Sequence, residues 1–135
     1  MRLIKLAGEH SMEIEEVLVE YFKAWNKGFI TKNGYEIRRF MSKQFVGFWA
    51  QSNIIQPDPY YHDYDLDGVL KQMDHAEKSF EAVSITERNN GEECLVLGKE
   101  TNVISGLPYT AQCMFVWRKE NNEWKLLREY IELER

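Results

Sequence analysis

The sequence predicts an α+β fold in which three N-terminal helices pack on a curved, mainly antiparallel sheet. Two observations lead to this prediction. Apolar residues recur at helical spacing in the first part of the chain, whereas residues 81–132 are rich in β-branched and aromatic residues and are divided by turns that contain Asn and Gly. The chain has 135 residues, a common size for one domain, so a single domain over residues 1–135 is expected.

The first helix is predicted from Ser11 to about Lys27, after an arm or short strand over residues 1–10. Ser11 is a good N-cap residue, and acidic side chains in the first turns suit the positive end of the helix dipole. One wide apolar face follows, formed by Ile14, Val17, Leu18, Tyr21, Phe22 and Trp25. Gly28 is expected to end the helix, because glycine is common just beyond a helix C-terminus.

A second, shorter helix is predicted from Gly34–Tyr35, and an aromatic strand follows over residues 45–52. Residues 56–65 are expected to form a loop, because Pro57 and Pro59 interrupt regular structure. This loop is long and contains Tyr-Tyr-His-Asp-Tyr, which is typical of a lid or rim rather than a plain connection.

The third helix is predicted from Asp67, as its N-cap, to about Ser79, because apolar residues recur there at a spacing near 3.6. From Glu81 onward every segment has the pattern of a strand. Asn89-Asn-Gly91 is a strong hairpin signal, and Ser105-Gly-Leu-Pro108 forms the next turn. The four long strands are predicted over residues 81–88, 92–104, 109–119 and 124–132.

Two local motifs add to this order of elements. Residues 115–127 read Phe-Val-Trp-Arg-Lys-Glu-Asn-Asn-Glu-Trp-Lys-Leu-Leu, a hydrophobic strand ending in Arg-Lys, a polar turn, Trp-Lys and paired aliphatics. Residues 45–49, Phe-Val-Gly-Phe-Trp, follow a short helix. Over residues 11–132 the chain resembles the nuclear transport factor 2-like superfamily, which includes SnoaL-like polyketide cyclases, ketosteroid isomerases and scytalone dehydratases.

The resemblance implies a cystatin-like, cone-shaped fold, in which the curved sheet wraps a long helix and encloses a cavity. It also implies a homodimer formed through the outer face of the sheet, because both faces carry many apolar residues. The last strand of the family often carries histidines where this chain has Arg128 and Tyr130. No Asp lies in strands 45–52, 92–104 or 109–119, which argues against the aspartate-based chemistry of the isomerases.

Several residues are candidates for a site in this cavity. His62, Tyr64 and Tyr130 are the candidates for proton transfer, since His titrates near neutral pH and lies here beside Asp63. Glu100 and Glu129 are further polar strand residues that could reach the cavity, but strand alternation does not decide which sheet face lines it. An Arg–Glu structural pair is an equal alternative for the polar strand residues. The expected pocket residues are Tyr21, Trp25, Trp49, Gln112 and Arg128.

Composition restricts the possible partners. The net charge of −5 argues against nucleic-acid binding, which needs basic patches that neutralise phosphates. No apolar run is long enough for a membrane span and no signal peptide opens the chain, so a cytoplasmic protein is expected. Cys94 and Cys113 are predicted to be buried free thiols.

No metal site or cofactor is expected. The three histidines are scattered without ligand spacing. Asp63, Asp65 and Asp67 alternate like the start of a calcium loop, but the twelfth position is Asp74 rather than Glu, and a helix should already have begun.

The functional prediction is therefore binding of a small, largely apolar ligand in an aromatic cavity. Cofactor-independent acid–base chemistry would be the reaction class if the protein is an enzyme. The alternative is a non-catalytic dimerisation or regulatory module, in which the aromatic residues form core and interface.

Overall fold

The computed structural model describes residues 13–134 and confirms the predicted α+β class. One long helix and two short helices pack on a six-stranded curved sheet. The helices are α1 (Ile14–Thr31), α2 (Tyr35–Arg38) and α3 (Leu66–Lys71). The strands are β1 (Met41–Gln51), β2 (Asp58–Tyr61), β3 (Ala76–Arg88), β4 (Glu93–Ile104), β5 (Leu107–Glu120) and β6 (Glu123–Leu133).

The strand order in the sheet is β2-β1-β6-β5-β4-β3. Strands β3 to β6 form an antiparallel meander, in which each strand pairs with the next one along the chain. Strand β1 pairs in parallel with β6, and β2 then pairs antiparallel with β1 as the edge strand. The four-stranded meander is thus extended at one side by β1, which contains most of the strand predicted over residues 45–52, and by β2.

The long helix α1 lies across the inner face of the sheet, the face that carries its buried side chains. Tyr21 meets Trp117 edge-on, with ring centroids 5.3 Å apart, and Phe22 stacks on Phe80 at 5.1 Å. Cys94 and Cys113 are buried on this face as free thiols, which confirms the prediction. Burial raises the pKa of Cys94 to about 11 and also raises that of Cys113, so both remain protonated.

The bounds of α1 differ from the prediction at both ends. It begins at Ile14 behind Glu13, whose backbone N–H donates to the Glu16 side chain in a capping box. The predicted cap at Ser11 and the arm over residues 1–10 lie outside the described residues. Gly28 does not end the helix but provides room inside it, since an added Cβ would lie 3.0 Å from the Ile37 side chain.

The third helix is shorter than predicted. It ends at Lys71, because β3 begins at Ala76 and pairs with β4 from Ala76 opposite Ile104 onward. Ala76 and Phe80 fit helical spacing, but they also lie on one face of a strand, and sheet pairing decides between the two. The N-cap is Asp65, which accepts a hydrogen bond from Gly68 N at 3.1 Å, rather than Asp67.

The predicted loop over residues 56–65 contains the edge strand β2. Pro59 is tolerated there because only one side of an edge strand is paired, with Pro59 opposite Phe48. Strand β1 also begins at Met41 rather than at Phe45. These differences place the Tyr60 side chain of β2 beside the inner face of β1, whereas Tyr61 is exposed.

A β-bulge at Leu127 changes which residues of β6 face inward. Trp117 pairs with Leu126, whereas Val116 pairs with Arg128, so Leu127 is the additional residue. Simple alternation would put Leu126 and Arg128 on the same face. The bulge instead turns Arg128 outward and Glu129 inward.

Candidate ligand-binding cavity

A cavity of about 430 Å³ lies between α1, α3 and the inner face of the sheet, near the ends of β1, β2 and β6. Its walls are mainly apolar and aromatic. These walls are formed by Trp25, Trp49, Pro59, Tyr60, Tyr64, Val69, Met73, Ala111, Ile131 and Leu133. Larger depressions of about 610 and 650 Å³ lie elsewhere on the surface, but most of the residues that line them are polar or charged. An aromatic cavity with few polar groups is the better candidate for a small-molecule site.

Glu129 is one of two buried carboxylates that line this cavity. Its residue is 9% exposed, and the bulge in β6 turns it inward. The Tyr60 hydroxyl donates a hydrogen bond to Glu129 Oε2. The Tyr60 ring crosses β1 at Gly47, where any Cβ would overlap the ring. A glycine on β1 therefore lets an edge-strand tyrosine reach a carboxylate on β6.

Burial raises the pKa of Glu129 to about 7. The nearby Glu100 carboxylate adds to this increase, whereas the Tyr60 hydrogen bond and the Lys78 ammonium oppose it. Burial also raises the pKa values of Tyr60 and Tyr64, so both keep their hydroxyl protons. Of Glu129 and its hydrogen-bond donor Tyr60, Glu129 is consequently the group that can gain or lose a proton near neutral pH.

A second polar group of the cavity is centred on Glu100. Its Oε1 accepts from Lys78 Nζ at 2.8 Å and from Asn102 Nδ2 at 3.1 Å. The Lys78 ammonium also lies 4.3 Å from the centre of the Trp25 ring. The Lys78 and Glu100 side chains are only 11% and 6% exposed, so this ion pair is a buried one.

The backbone holds this group in place. The Asn26 side chain on α1 accepts from Lys78 N at 2.7 Å and donates to Lys78 O at 2.9 Å. Asn102 uses its amide nitrogen on Glu100, which fixes its Oδ1 as an acceptor. That Oδ1 is buried and has no hydrogen-bond partner among residues 13–134.

Three of the predicted site residues, Trp25, Trp49 and Tyr64, line the cavity. Tyr21 lies beneath it and is 1% exposed. Its hydroxyl is close enough to influence the pKa of Glu129 but makes no hydrogen bond of normal geometry in the described part of the chain.

Three predicted site residues lie on the outer face of the sheet, which corrects their assignment to the cavity. Gln112 and Tyr130 are on the outer sheet face, where they contact Glu134 and Glu132 respectively. Arg128 is also outside and donates to the Gln44 carbonyl at 3.0 Å. The reasons are the bulge at Leu127 and, for Gln112, plain alternation with its buried neighbours in β5.

His62 lies in a separate surface depression with Arg38 and Lys43. Burial lowers the pKa of His62, and the two cations lower it further. His62 is therefore a neutral imidazole near pH 7, outside the cavity that holds Glu129.

Tyr60, Lys78 and Asn102 are not among the site residues predicted from the sequence, and Glu100 and Glu129 are predicted only as polar strand residues that could reach the cavity. The sequence pattern predicts a helix through Lys78, whereas the structure places it in β3, so its direction does not follow from the predicted element. The sequence feature that indicates the inward direction of Glu129 is the adjacent pair Leu126 and Leu127. Two consecutive aliphatic residues in an alternating strand are compatible with a bulge.

No group of three or more His, Cys, Asp and Glu side chains within residues 13–134 is arranged to hold a metal ion. None of the helices in the same range is both long and apolar enough to cross a membrane.

Comparison with solved structures identifies the fold. A nuclear transport factor 2-like protein of unknown function from Shewanella oneidensis matches with a TM-score of 0.65 and 12% identity, over 89% of this chain and 99% of the other. A ketosteroid isomerase-like protein from Erwinia carotovora atroseptica matches with a TM-score of 0.62 and 15% identity, over 89% and 92%.

A nuclear transport factor 2-like protein from Cytophaga hutchinsonii gives a TM-score of 0.62 and 10% identity, over 90% and 99% of the two chains. No protein-family model matches the sequence. No curated protein matches it either. The chain thus has the nuclear transport factor 2-like fold, as the sequence motifs indicated, while its function must be argued from its own residues.

Proposed function

We propose that the protein binds a small, largely apolar molecule in the cavity between α1, α3 and the sheet. The observation that carries this proposal is the convergence of two buried polar groups, Glu129–Tyr60 and Lys78–Glu100–Asn102, on one aromatic cavity of about 430 Å³. Apolar walls supply most of the binding free energy, and a few placed polar groups orient the ligand.

A cavity-filling variant tests this proposal. Val69 lines the cavity from α3, so Val69→Phe should occupy part of the ligand volume. Small aromatic alcohols and ketones should raise the melting temperature of the wild-type protein and do so less, or not at all, for Val69→Phe. Val103→Phe is the matched control, because Val103 is 37% exposed on β4 and does not line the cavity. If no such compound stabilises the wild type, or if Val69→Phe responds as the wild type does, the proposal fails.

Acid–base chemistry is the second candidate, and Glu129 is the observation that favours it. A buried carboxyl with a pKa of about 7 can accept a proton from a bound ligand at neutral pH. This role would fall to Glu129 and Tyr60, with Tyr64 beside them, rather than to His62 or Tyr130. In D₂O, deuterium uptake by a bound cyclic ketone should be faster with the wild type than with Glu129→Gln. Equal rates would exclude the role.

A homodimer through the outer sheet face is proposed as the assembly, and a purely structural dimerisation module is the alternative to ligand binding. Leu97, Met114, Tyr130 and Phe48 lie directly opposite one another across β4, β5, β6 and β1. Three of them, Leu97, Met114 and Phe48, are 38–42% exposed. A continuous row of exposed apolar side chains on a sheet is typical of an interface with another chain.

A further inference from the structure

The polar atoms of the cavity that lack partners include several acceptors. Asn102 Oδ1 is buried and accepts no hydrogen bond from residues 13–134. Tyr60 donates to Oε2 of Glu129, and within residues 13–134 Oε1 accepts no hydrogen bond of normal geometry, although the Tyr21 hydroxyl is close enough to lower the Glu129 pKa. Glu100 takes both of its donors on one oxygen, Oε1. A ligand that donates hydrogen bonds would satisfy these atoms, whereas one that only accepts would leave them unpaired at a cost.

The charges of the cavity also favour a ligand that donates hydrogen bonds. Lys78 and Glu100 neutralise each other at 2.8 Å. Among the described residues Glu129 forms no ion pair, and its hydrogen bond comes from the neutral Tyr60 hydroxyl, although the Lys78 ammonium is near enough to lower its pKa. Asp58 lines the rim and adds a further carboxylate. The cavity is therefore negative whenever Glu129 is ionised, and it disfavours a ligand carboxylate.

The aromatic rings of the cavity can also attract a ligand cation. The Lys78 ammonium over Trp25 shows that this cavity already accommodates one cation against an indole ring. Trp49 also lines the cavity and makes no ring or cation contact within the described residues. A ligand cation beside Trp49 and Tyr60 would gain cation–π attraction in addition to its hydrogen bonds.

We propose that the cavity selects ligands with a protonated amine on an apolar body, and that Glu129 and Asn102 accept the hydrogen bonds of the amine. This inference rests on the proposed ligand-binding function and specifies its ligand class. The apolar body would pack against the aromatic and aliphatic walls, and the amine would be the counter-charge that Glu129 lacks.

The proposal has a consequence for the pH dependence of binding. The titratable and charged groups that face Glu129 are Tyr21 on α1, Tyr60 on β2, Tyr64 before α3, Lys78 on β3, Glu100 on β4 and Cys113 on β5. The tyrosines and Cys113 keep their protons at neutral pH, and Lys78 stays paired with Glu100. Glu129 is thus the group whose ionisation changes between pH 6 and 8. A cationic ligand binds its ionised form, so affinity should rise with pH.

Three probes with a common phenyl ring separate the possibilities: 2-phenylethylamine, 2-phenylethanol and 3-phenylpropanoate. Isothermal titration calorimetry at pH 8 should show the amine binding at least about tenfold more tightly than the alcohol, as expected for a charge-assisted hydrogen bond. The propanoate should bind most weakly. From pH 8 to pH 6 the affinity for the amine should fall about tenfold, while that for the alcohol should change by less than about twofold.

Variants on one strand provide the matched comparison. Glu129→Gln should reduce the amine-to-alcohol affinity ratio to about one and remove its pH dependence. Glu132→Gln, on the outer face of β6, should keep both. The wild-type pH profile tests the proposal even if Glu129→Gln does not fold. Equal affinity for alcohol and amine at pH 8, or a pH-independent amine affinity, would overturn this inference alone. Failure of all three probes to bind would instead count against ligand binding itself.

Discussion

At the scale of single residues, Glu129 is a buried carboxyl that forms no ion pair with any residue in the range 13–134. Burial raises its pKa to about 7, so the folded protein binds this proton more tightly than the unfolded chain does. Between about pH 4.5 and pH 7 the free energy of unfolding should therefore fall as pH rises, as far as this group contributes.

Replacing Glu129 by Gln should remove this contribution. Near pH 5 the free energy of unfolding of Glu129→Gln should be close to that of the wild type. At pH 8 the variant should be more stable by about 2 kcal/mol, because the wild type then holds a buried charge. Urea unfolding at the two pH values measures the difference. A variant that is equally displaced from the wild type at both pH values would show that Glu129 does not titrate near neutrality.

At the scale of elements, the edge strand β2 brings Tyr60 to the cavity only because β1 has a glycine beneath the ring. Gly47 pairs with Tyr60, and an added Cβ would overlap the ring carbons. The ring is also in contact with Phe45, with centroids 5.8 Å apart, so it has little room to move.

Gly47→Ala should therefore displace Tyr60 and lower the free energy of unfolding by about 1–3 kcal/mol, the usual cost of overpacking. It should also weaken binding in the cavity, since Glu129 would lose its donor. Lys43→Ala, at an exposed position on the same strand, should change the free energy of unfolding by less than about 0.5 kcal/mol. A Gly47→Ala protein with unchanged stability and ligand affinity would contradict this account of β2.

The elements also show how far the sequence was informative. Alternation and Asn- or Gly-containing turns predicted the β3–β6 meander, because each strand pairs with its neighbour in sequence. Strand β2 was not predicted, because Pro57 and Pro59 indicate a loop although an edge strand also tolerates proline. The length of α3 was overestimated, because Ala76 and Phe80 satisfy helical and strand spacing alike. The aromatic character of Trp25 and Trp49 predicted them as pocket residues, and Tyr64 was predicted as a proton-transfer candidate. The inward direction of Glu129, by contrast, depends on one bulge.

At the scale of the whole molecule, the two sheet faces have different roles. The inner face covers α1 and the cavity, and the outer face carries the row Leu97, Met114, Tyr130 and Phe48. The proposed homodimer would bury this row against the same row of a second copy, as a two-fold axis requires.

Leu97→Glu combined with Met114→Glu should convert this dimer to a monomer, because four carboxylates would face one another across the axis. Light scattering after size-exclusion chromatography measures the mass. Ile30→Glu combined with Ile55→Glu is the matched control, since both isoleucines are more exposed than the row and lie away from it. A wild-type protein that is monomeric at all concentrations, or a Leu97→Glu/Met114→Glu variant that remains dimeric, would exclude this interface.

The parallel pairing of β1 with β6 also determines the order in which the chain can assemble. The β3–β6 meander requires only contacts between neighbouring strands, which form early because little loop entropy is lost. Strand β1 has no partner in the meander until β6 has been synthesised, and β2 joins the sheet only through β1. During synthesis on the ribosome, β1 and β2, which carry Tyr60, can therefore join the sheet only after β6, which carries Glu129, has been made.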